Sequence, residues 1–415
     1  VRSPRAVRRR RPAAVPVTAL RALGPAFVAA VAYVDPGNFA TNIEGGSSYG
    51  YSLLWVVVAA GLVAMPVQFL SAKLGIVTGR SLPEACRERY GRRTTRGLWL
   101  QAEAMAMATD IAEFMGTAVA LDLLFGIPLP AAVCLTGALS YLMLGFQARR
   151  HRPFEVVIAV MLCLMCAGFG YLMLRSGVDG AALASGLVPG AEDNRATLLA
   201  LGIVGATVMP HAIYLHSALV RRRHVAGTGA EIDRALRAER IDVLVALTLA
   251  GVINASMLIV AAGAFHGSGL FEVASLSDAH AALGGWVGPA AALVFALALL
   301  AAGLSSSGIG TLSGQIVMEG FTGARIPMVV RRGITMAPAV LIAMAGWDPT
   351  QALILSQVVL SFGIAPALVP LLLITRDRAV MGRHANARPV TALYALIAAA
   401  IIALNAFLLW LVLVP

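Results

Sequence analysis

Long apolar stretches separated by short arginine-rich connections run the whole length of the chain. A helix that crosses a bilayer needs about 20 mostly apolar residues. Eleven stretches qualify: 19–48, 53–77, 97–125, 129–147, 154–174, 197–220, 240–264, 286–318, 327–345, 351–375 and 389–414. Two of them are interrupted by residues that do not belong in lipid-spanning sequence. The first contains Ala32-Tyr33-Val34-Asp35-Pro36-Gly37-Asn38, and the sixth contains Ala206-Thr207-Val208-Met209-Pro210-His211. Proline removes a backbone donor and clashes with the preceding turn, while glycine accepts unwound geometry. Pro36, Gly37 and Pro210 therefore predict two helices broken in mid-membrane. Their freed carbonyls and the Asp35 carboxylate need something to satisfy them.

The interruptions recur at a long interval. The two broken segments begin 178 residues apart, and Pro36 and Pro210 are 174 apart. Residues 19–175 and 197–375 thus read as two halves of five helices each, starting on opposite sides of the membrane and so inverted. Segment 389–414 stands outside the repeat. The expected fold is an all-α integral membrane protein, a single transporter domain over 1–415. It has 11 transmembrane helices, a 5+5 inverted repeat, and helices 1 and 6 broken. Broken helices in matching halves point to an ion site at the midplane.

Composition agrees with this class. The chain is 59% hydrophobic and 13% charged, with mean hydropathy +0.81, against roughly 25% charged in soluble domains. The net charge of +11 raises the question of nucleic acid, and its placement answers it. With the N-terminus inside, 29 of the 32 basic residues fall in inner segments, Arg175 and Arg195 lie outside, and Lys73 sits near the inner end of the second helix. This is the asymmetry of a cytosolic membrane face. It puts the C-terminus outside and leaves no role for nucleic acid. Residues 1–18 read as a cytosolic tail and not a signal peptide. Cys163 and Cys166 have CxxC spacing without a second pair, and are expected to be small buried apolar residues. No phosphate-binding loop is present, and no cofactor or obligate protein partner is indicated.

At the breaks, Asp35 offers a carboxylate, Asn38 an amide oxygen and Met209 a thioether. Unwinding at Ala32 and Ala206 would add backbone carbonyls. Oxygen donors alone suit magnesium, calcium or manganese, and one soft sulfur shifts the preference towards later transition metals. An acid inside the membrane is expensive and is read as functional. Met209 has the alternative of filling core space, and Asn38 that of capping the second half-helix.

Asp35-Pro36-Gly37-Asn38 together with Met209-Pro210-His211 resembles the paired motifs of the Nramp (natural resistance-associated macrophage protein) family, and the resemblance covers essentially the whole chain. It implies a LeuT-like fold in the cytoplasmic (inner) membrane of a bacterium. It implies a secondary transporter that imports Mn²⁺ and Fe²⁺, and also Cd²⁺ and Co²⁺, with protons by alternating access. The metal would be held by Asp35, Asn38, Met209 and the carbonyls of Ala32 and Ala206, with Gln357 approaching in some states.

A proton route is also legible. Glu103, Asp110 and Glu113 lie on one stripe of the third segment, and the ninth carries Arg331 and Arg332 at its inner end. Protons are expected to pass through Asp35 and His211 to Asp110 and Glu113, then towards Glu103 and the arginines. The resemblance implies the same conduit, and a static salt-bridge network is the alternative. His216 and Asn254 are further polar residues at depth, either lining the pathway or packing. Three rival functions are weaker. A sodium-coupled amino-acid or organic-solute symporter of the same fold would meet its substrate's carboxylate with Asp35. A channel lacks a repeated carbonyl-lining sequence, and a metalloenzyme lacks hydrolytic ligands such as HExxH.

Overall fold

The computed structural model describes residues 24–149, 151–190, 193–223, 229–266 and 275–413, so the expected tail 1–18 lies outside the described residues. Regular structure among the described residues is entirely helical. The first half comprises α1 (Pro25–Val31), α2 (Pro36–Tyr49), α3 (Leu54–Thr78), α4 (Leu82–Arg89), α5 (Arg92–Phe125), α6 (Leu129–Arg149) and α7 (His151–Arg175). A short α8 (Gly180–Ser185) leads into the second half, α9 (Asn194–Thr207), α10 (Pro210–Arg223), α11 (Gly229–Ala261), α12 (Leu276–Trp286), α13 (Pro289–Thr322), α14 (Met328–Met344) and α15 (Pro349–Thr375). The chain then runs through α16 (Arg378–Met381) to α17 (Arg388–Leu413).

Each of the eleven expected segments coincides with one helix or with a broken pair, α1/α2 and α9/α10. Seven helical stretches among the described residues are long and apolar enough to cross a membrane by themselves. The others fall short for identifiable reasons. The first is cut into pieces of 7 and 14 residues, α14 has 17 residues, and the apolar stretches of α6 and α7 are Leu129–Leu142 and Val160–Arg175.

Four short helices, α4, α8, α12 and α16, were not anticipated from hydropathy, because none is long enough to cross a membrane. Local chemistry makes them. Ser81 and Glu84 form a reciprocal capping box at the start of α4, with the Ser81 N–H donating to Glu84 Oε2 at 2.9 Å, a device worth about 1 kcal/mol. Arg221 at the end of α10 closes on the same Glu84. Asp179 caps α8 and Asp377 caps α16 in the same way.

Helix packing positions the site. The long α5 runs against α13, where Gly303 faces Thr117, Gly310 faces the Glu113 carboxylate and Gly314 faces the Arg331 guanidinium. A side chain at Gly310 or Gly314 would occupy the space those charged groups use. Phe39 of α2 packs edge-on to Phe169 and Phe295, with centroids 5.3 and 5.9 Å away. Where α2 ends and α9 begins, the two broken helices are tied together. Tyr49 donates to Asp193 at 2.6 Å, and Arg195 pairs with Glu44 at 2.8 Å. The Tyr49 hydroxyl holds the Asp193 carboxyl below its usual range.

The bundle's perimeter is apolar: Leu142, Leu174 and Leu396 are all largely exposed. This surface corrects the reading of the cysteines. Cys163 is exposed and Cys166 half-buried, because the outside of a lipid-facing bundle accepts small apolar groups as readily as its core does.

Gly46 of α2 lies against the Leu258 carbonyl and Ala261 of α11, whereas Gly251 has open space around it. Gly46→Ala is expected to lower stability by about 1–3 kcal/mol through overpacking. Gly251→Ala is expected to be neutral or stabilising by up to about 1 kcal/mol, since alanine is the better helix former. Thermal unfolding of the two variants in one detergent checks the contrast.

Candidate functional site

The first break begins as a tightening of α1. The N–H groups of Ala32, Tyr33 and Val34 bond three residues back, to Ala29, Ala30 and Val31, at 3.0–3.1 Å. The chain then extends at Asp35 (φ −97°, ψ 171°) and re-enters a helix at Pro36. Asp35 Oδ1 accepts the Asn38 N–H at 2.9 Å, and Asn38 Oδ1 accepts the Asp35 N–H at 3.3 Å. Asn38 therefore does cap the second half-helix, and its amide oxygen keeps a second lone pair. Asn254 donates from Nδ2 to the Tyr33 carbonyl at 2.6 Å, and Asn42 donates to Asn254 Oδ1 at 3.0 Å. Asn254 is thus a strut that holds the unwound strand open.

The second break is sharper. α9 runs through Thr207, the Val208 N–H closes on Val204 at 2.8 Å, and α10 starts at Pro210. Ala206 is still helical, which corrects the expectation that the chain unwinds there. Its carbonyl is free for another reason. An α-helical carbonyl accepts from the residue four ahead, and for Ala206 that residue is Pro210, which has no N–H. Ala32 stands in the same relation to Pro36. This shared spacing was available in the sequence as a stronger signal than unwinding.

Gln357 of α15 brings the two breaks together: its side chain lies on Gly37 and its carbonyl on Gly205. Asp35, Asn38, Met209 and Gln357 are each at most 1% exposed. Within this buried region Asp35 Oδ2 and Gln357 Oε1 have no hydrogen-bond partner, and neither does Thr207 Oγ1. Buried polar atoms are normally paired, so an orphaned carboxylate oxygen marks a place built for a ligand. Among the described residues no group of three or more His, Cys, Asp or Glu side chains could hold a metal. Any cation held beside Asp35 would rest on one carboxylate and on amide and backbone oxygens, while Met209 lies buried at the second break.

Beside the breaks, α5 and α14 bury a charged cluster. Arg332 bonds Asp110 and Ser307, reaches Ser140 at 3.0 Å and Glu113 at 3.5 Å, and stacks on Phe114. One guanidinium faces two carboxylates, a balance that leaves room for one proton. Arg331 grips Glu103 with two bonds of 3.1 and 2.6 Å, and Trp99 donates to the same carboxylate at 2.9 Å. His211 touches this helix through Thr109, Nδ1 to Oγ1 at 3.2 Å, next to Asp110 in the chain, and not through a carboxylate directly.

His216 lies elsewhere. Its Nδ1 is 2.8 Å from Gln68 Oε1 and its Nε2 is 2.8 Å from Glu239. Gln68 in turn donates to the Tyr33 hydroxyl. His216 therefore belongs to a buried chain that ends at the first break, apart from the α5 cluster. Gln68, Glu239, Thr109, Asn42, Ser140 and Ser307 were not singled out in the sequence. For all but Glu239, which borders the seventh segment, the only signal was a polar residue inside an apolar segment, which does not name a partner.

Comparison with known proteins follows the same lines. The family model described as "Natural resistance-associated macrophage protein-like" matches residues 26–411. The chain is 50% identical to the divalent metal cation transporter MntH of Deinococcus radiodurans over 388 residues, covering 94% of this chain and 89% of the relative. It is 51% identical to MntH of Bacillus subtilis over 388 residues, covering 93% and 91%. Among solved structures, the Eremococcus coleocola manganese transporter aligns at 33% identity with a TM-score of 0.84, covering 94% and 87%. Mhp1, a nucleobase-cation-symport-1 family transporter, aligns at 18% identity with a TM-score of 0.62, covering 93% and 91%, a likeness of fold alone.

Removing the guanidinium should leave two buried carboxylates uncompensated. Arg332→Leu is expected to cost about 3–5 kcal/mol, seen as a large fall in apparent melting temperature. Adding Asp110→Asn and Glu113→Gln should recover more than half of it. A single variant no less stable than the exposed Arg234→Leu would show that the cluster is not charge-balanced.

Proposed function

The chain belongs to the Nramp family of metal transporters, and from that premise we propose that it imports Mn²⁺, Fe²⁺ and related divalent ions together with protons by alternating access. It is a transporter and not an enzyme, and its LeuT-like bundle is that of the family. The observation that carries the substrate reading is the orphaned Asp35 Oδ2, buried at the first helix break, two residues from Gly37, on which the side chain of Gln357 lies with its own Oε1 unpartnered. In this reading Asp35, Asn38, Met209, Gln357 and the carbonyls of Ala32 and Ala206 replace the water shell of the ion. The sulfur favours manganese, iron, cobalt or cadmium over magnesium and calcium.

Proton movement follows from the same carboxylate. A divalent cation beside a carboxylate favours its ionised form, so metal arrival releases a proton carried by Asp35. Asp110 and Glu113, sharing Arg332, supply the next acceptor, with His211 and Thr109 between, and Glu103 with Arg331 continues the route. The rival symporter reading loses support at the break itself. The Asn38 N–H at the start of α2 is already met by the Asp35 carboxylate, whose negative charge would repel a substrate carboxylate there. The arginine distribution supports eleven spans in a bacterial cytoplasmic membrane, N-terminus cytosolic and C-terminus outside.

Two measurements test the reading in proteoliposomes. Met209→Ala should lower the preference for cadmium over calcium uptake by about tenfold, equivalent to ~1.4 kcal/mol. Unchanged discrimination would remove the sulfur from the selectivity filter. Asp110→Ala should abolish metal-stimulated proton entry, read with an internal pH dye, while some metal uptake persists. Coupling at the wild-type level would sink the relay.

A further inference from the structure

Far from both breaks, the arginine-rich end of the bundle holds a cavity of about 790 Å³. Its rim carries Arg89 at the end of α4, Arg376 and Arg378 on either side of Asp377, and Arg388 at the start of α17. Arg89 and Asp377 cancel each other. They pair at 2.6 Å, and that hydrogen bond holds the Asp377 carboxyl below its usual range, ionised at neutral pH. Among the described residues Arg376, Arg378 and Arg388 have no ion-pair partner, so three guanidiniums face one cavity unneutralised.

The frame around them is fixed. The Asn386 N–H donates to the Thr375 carbonyl at 3.0 Å, and its side chain bonds Thr375 Oγ1 at 3.0 Å and Lys73 Nζ at 2.8 Å. Met381 is buried beneath the loop. Besides Asn386 and Thr391, the cavity's remaining wall is apolar, formed by Leu373, Ala387, Ala392 and Ala395. Beyond it the surface of α17 stays apolar, with Leu393 and Leu396 more than half exposed. A charged rim that opens onto an apolar helix face has the polarity of a phospholipid.

We propose that this cavity is a headgroup site for an anionic phospholipid, with the phosphate among Arg376, Arg378 and Arg388 and the acyl chains along α17. Guanidinium groups bind phosphate oxygens in a bidentate fork. The bound lipid would join α4, on the link between α3 and α5, to α15 and α17. The site is independent of the metal reading. Only the leaflet depends on orientation, which puts it on the cytosolic side.

The test is a thermal-shift titration of the full chain in detergent with dioctanoyl phosphatidylglycerol, dioctanoyl phosphatidylcholine and inorganic phosphate. The anionic lipid should raise the melting midpoint saturably, the zwitterionic lipid should not, and phosphate should act weakly at matched concentration. At roughly fivefold per arginine near a membrane surface, R376Q/R378Q/R388Q should raise the apparent Kd about a hundredfold. R234Q/R237Q/R325Q removes equal charge from the same end, where Asp233 of α11 pairs with Arg383, and should raise it less than about threefold. Should the first triple variant fail to fold, R378Q alone should give about a fivefold rise. Equal losses in both triples would reduce the site to diffuse attraction and overturn the proposal. Phosphate acting as strongly as the lipid (an adventitious ion only), or phosphatidylcholine binding equally well, would overturn it too.

Discussion

Inside a bilayer a backbone carbonyl has no water to turn to, and this constraint organises the molecule. Pro36 and Pro210 each withhold the donor that a helix would aim at the carbonyl four residues earlier. The helices separate there, and the carbonyls of Ala32 and Ala206 lose the donor a helix would give them. The structure does not heal either wound with a competing backbone bond. It props the first one open with Asn254 and Asn42, caps the new helix start with Asp35, and lays Gln357 across both. The orphaned side-chain oxygens at the breaks, Asp35 Oδ2, Thr207 Oγ1 and Gln357 Oε1, are costly to bury without a partner. Such unpaired groups must be held by the rest of the fold, and the close approach of α5 to α13 at their glycines and the aromatic packing of Phe39 provide that hold.

Charge is handled by the same economy. Three acids on α5 meet two arginines on α14 across glycines of α13, so each carboxylate has a partner within reach and none faces lipid. Arg331 and Glu103 form a closed two-point pair. Arg332, shared between Asp110 and Glu113 and steadied by Ser140, Ser307 and Phe114, is the open member. One guanidinium there serves two carboxylates, and both Glu113 oxygens lack a hydrogen-bond partner, unlike the closed pair of Arg331 and Glu103. Next to Asp110, Thr109 also meets His211 of the break helix α10 at 3.2 Å.

The sequence alone determined the architecture and most of the chemistry. The eleven apolar segments, the two interruptions and their spacing follow from hydropathy and from proline, which act locally and at any position in a fold. Asp35, Met209, Asp110 and Glu113 stood out because an acid or a broken helix in lipid is expensive wherever it occurs. The short helices α4, α8 and α16 escaped because a cap and a turn carry no hydropathy signal.

Tertiary structure decided everything that depends on a partner far along the chain. Only packing pairs Arg332 with two acids 222 and 219 positions away, sets Gln357 against Gly37, or separates His216 from His211 and hands it to Gln68 and Glu239. It also reversed two local readings: Ala206 stayed helical, and Cys163 turned outward. The physical reason is common to all of these. The cost of an unsatisfied polar group is a property of the residue and is legible in the sequence, while the group that satisfies it is a property of the neighbours that the fold brings close.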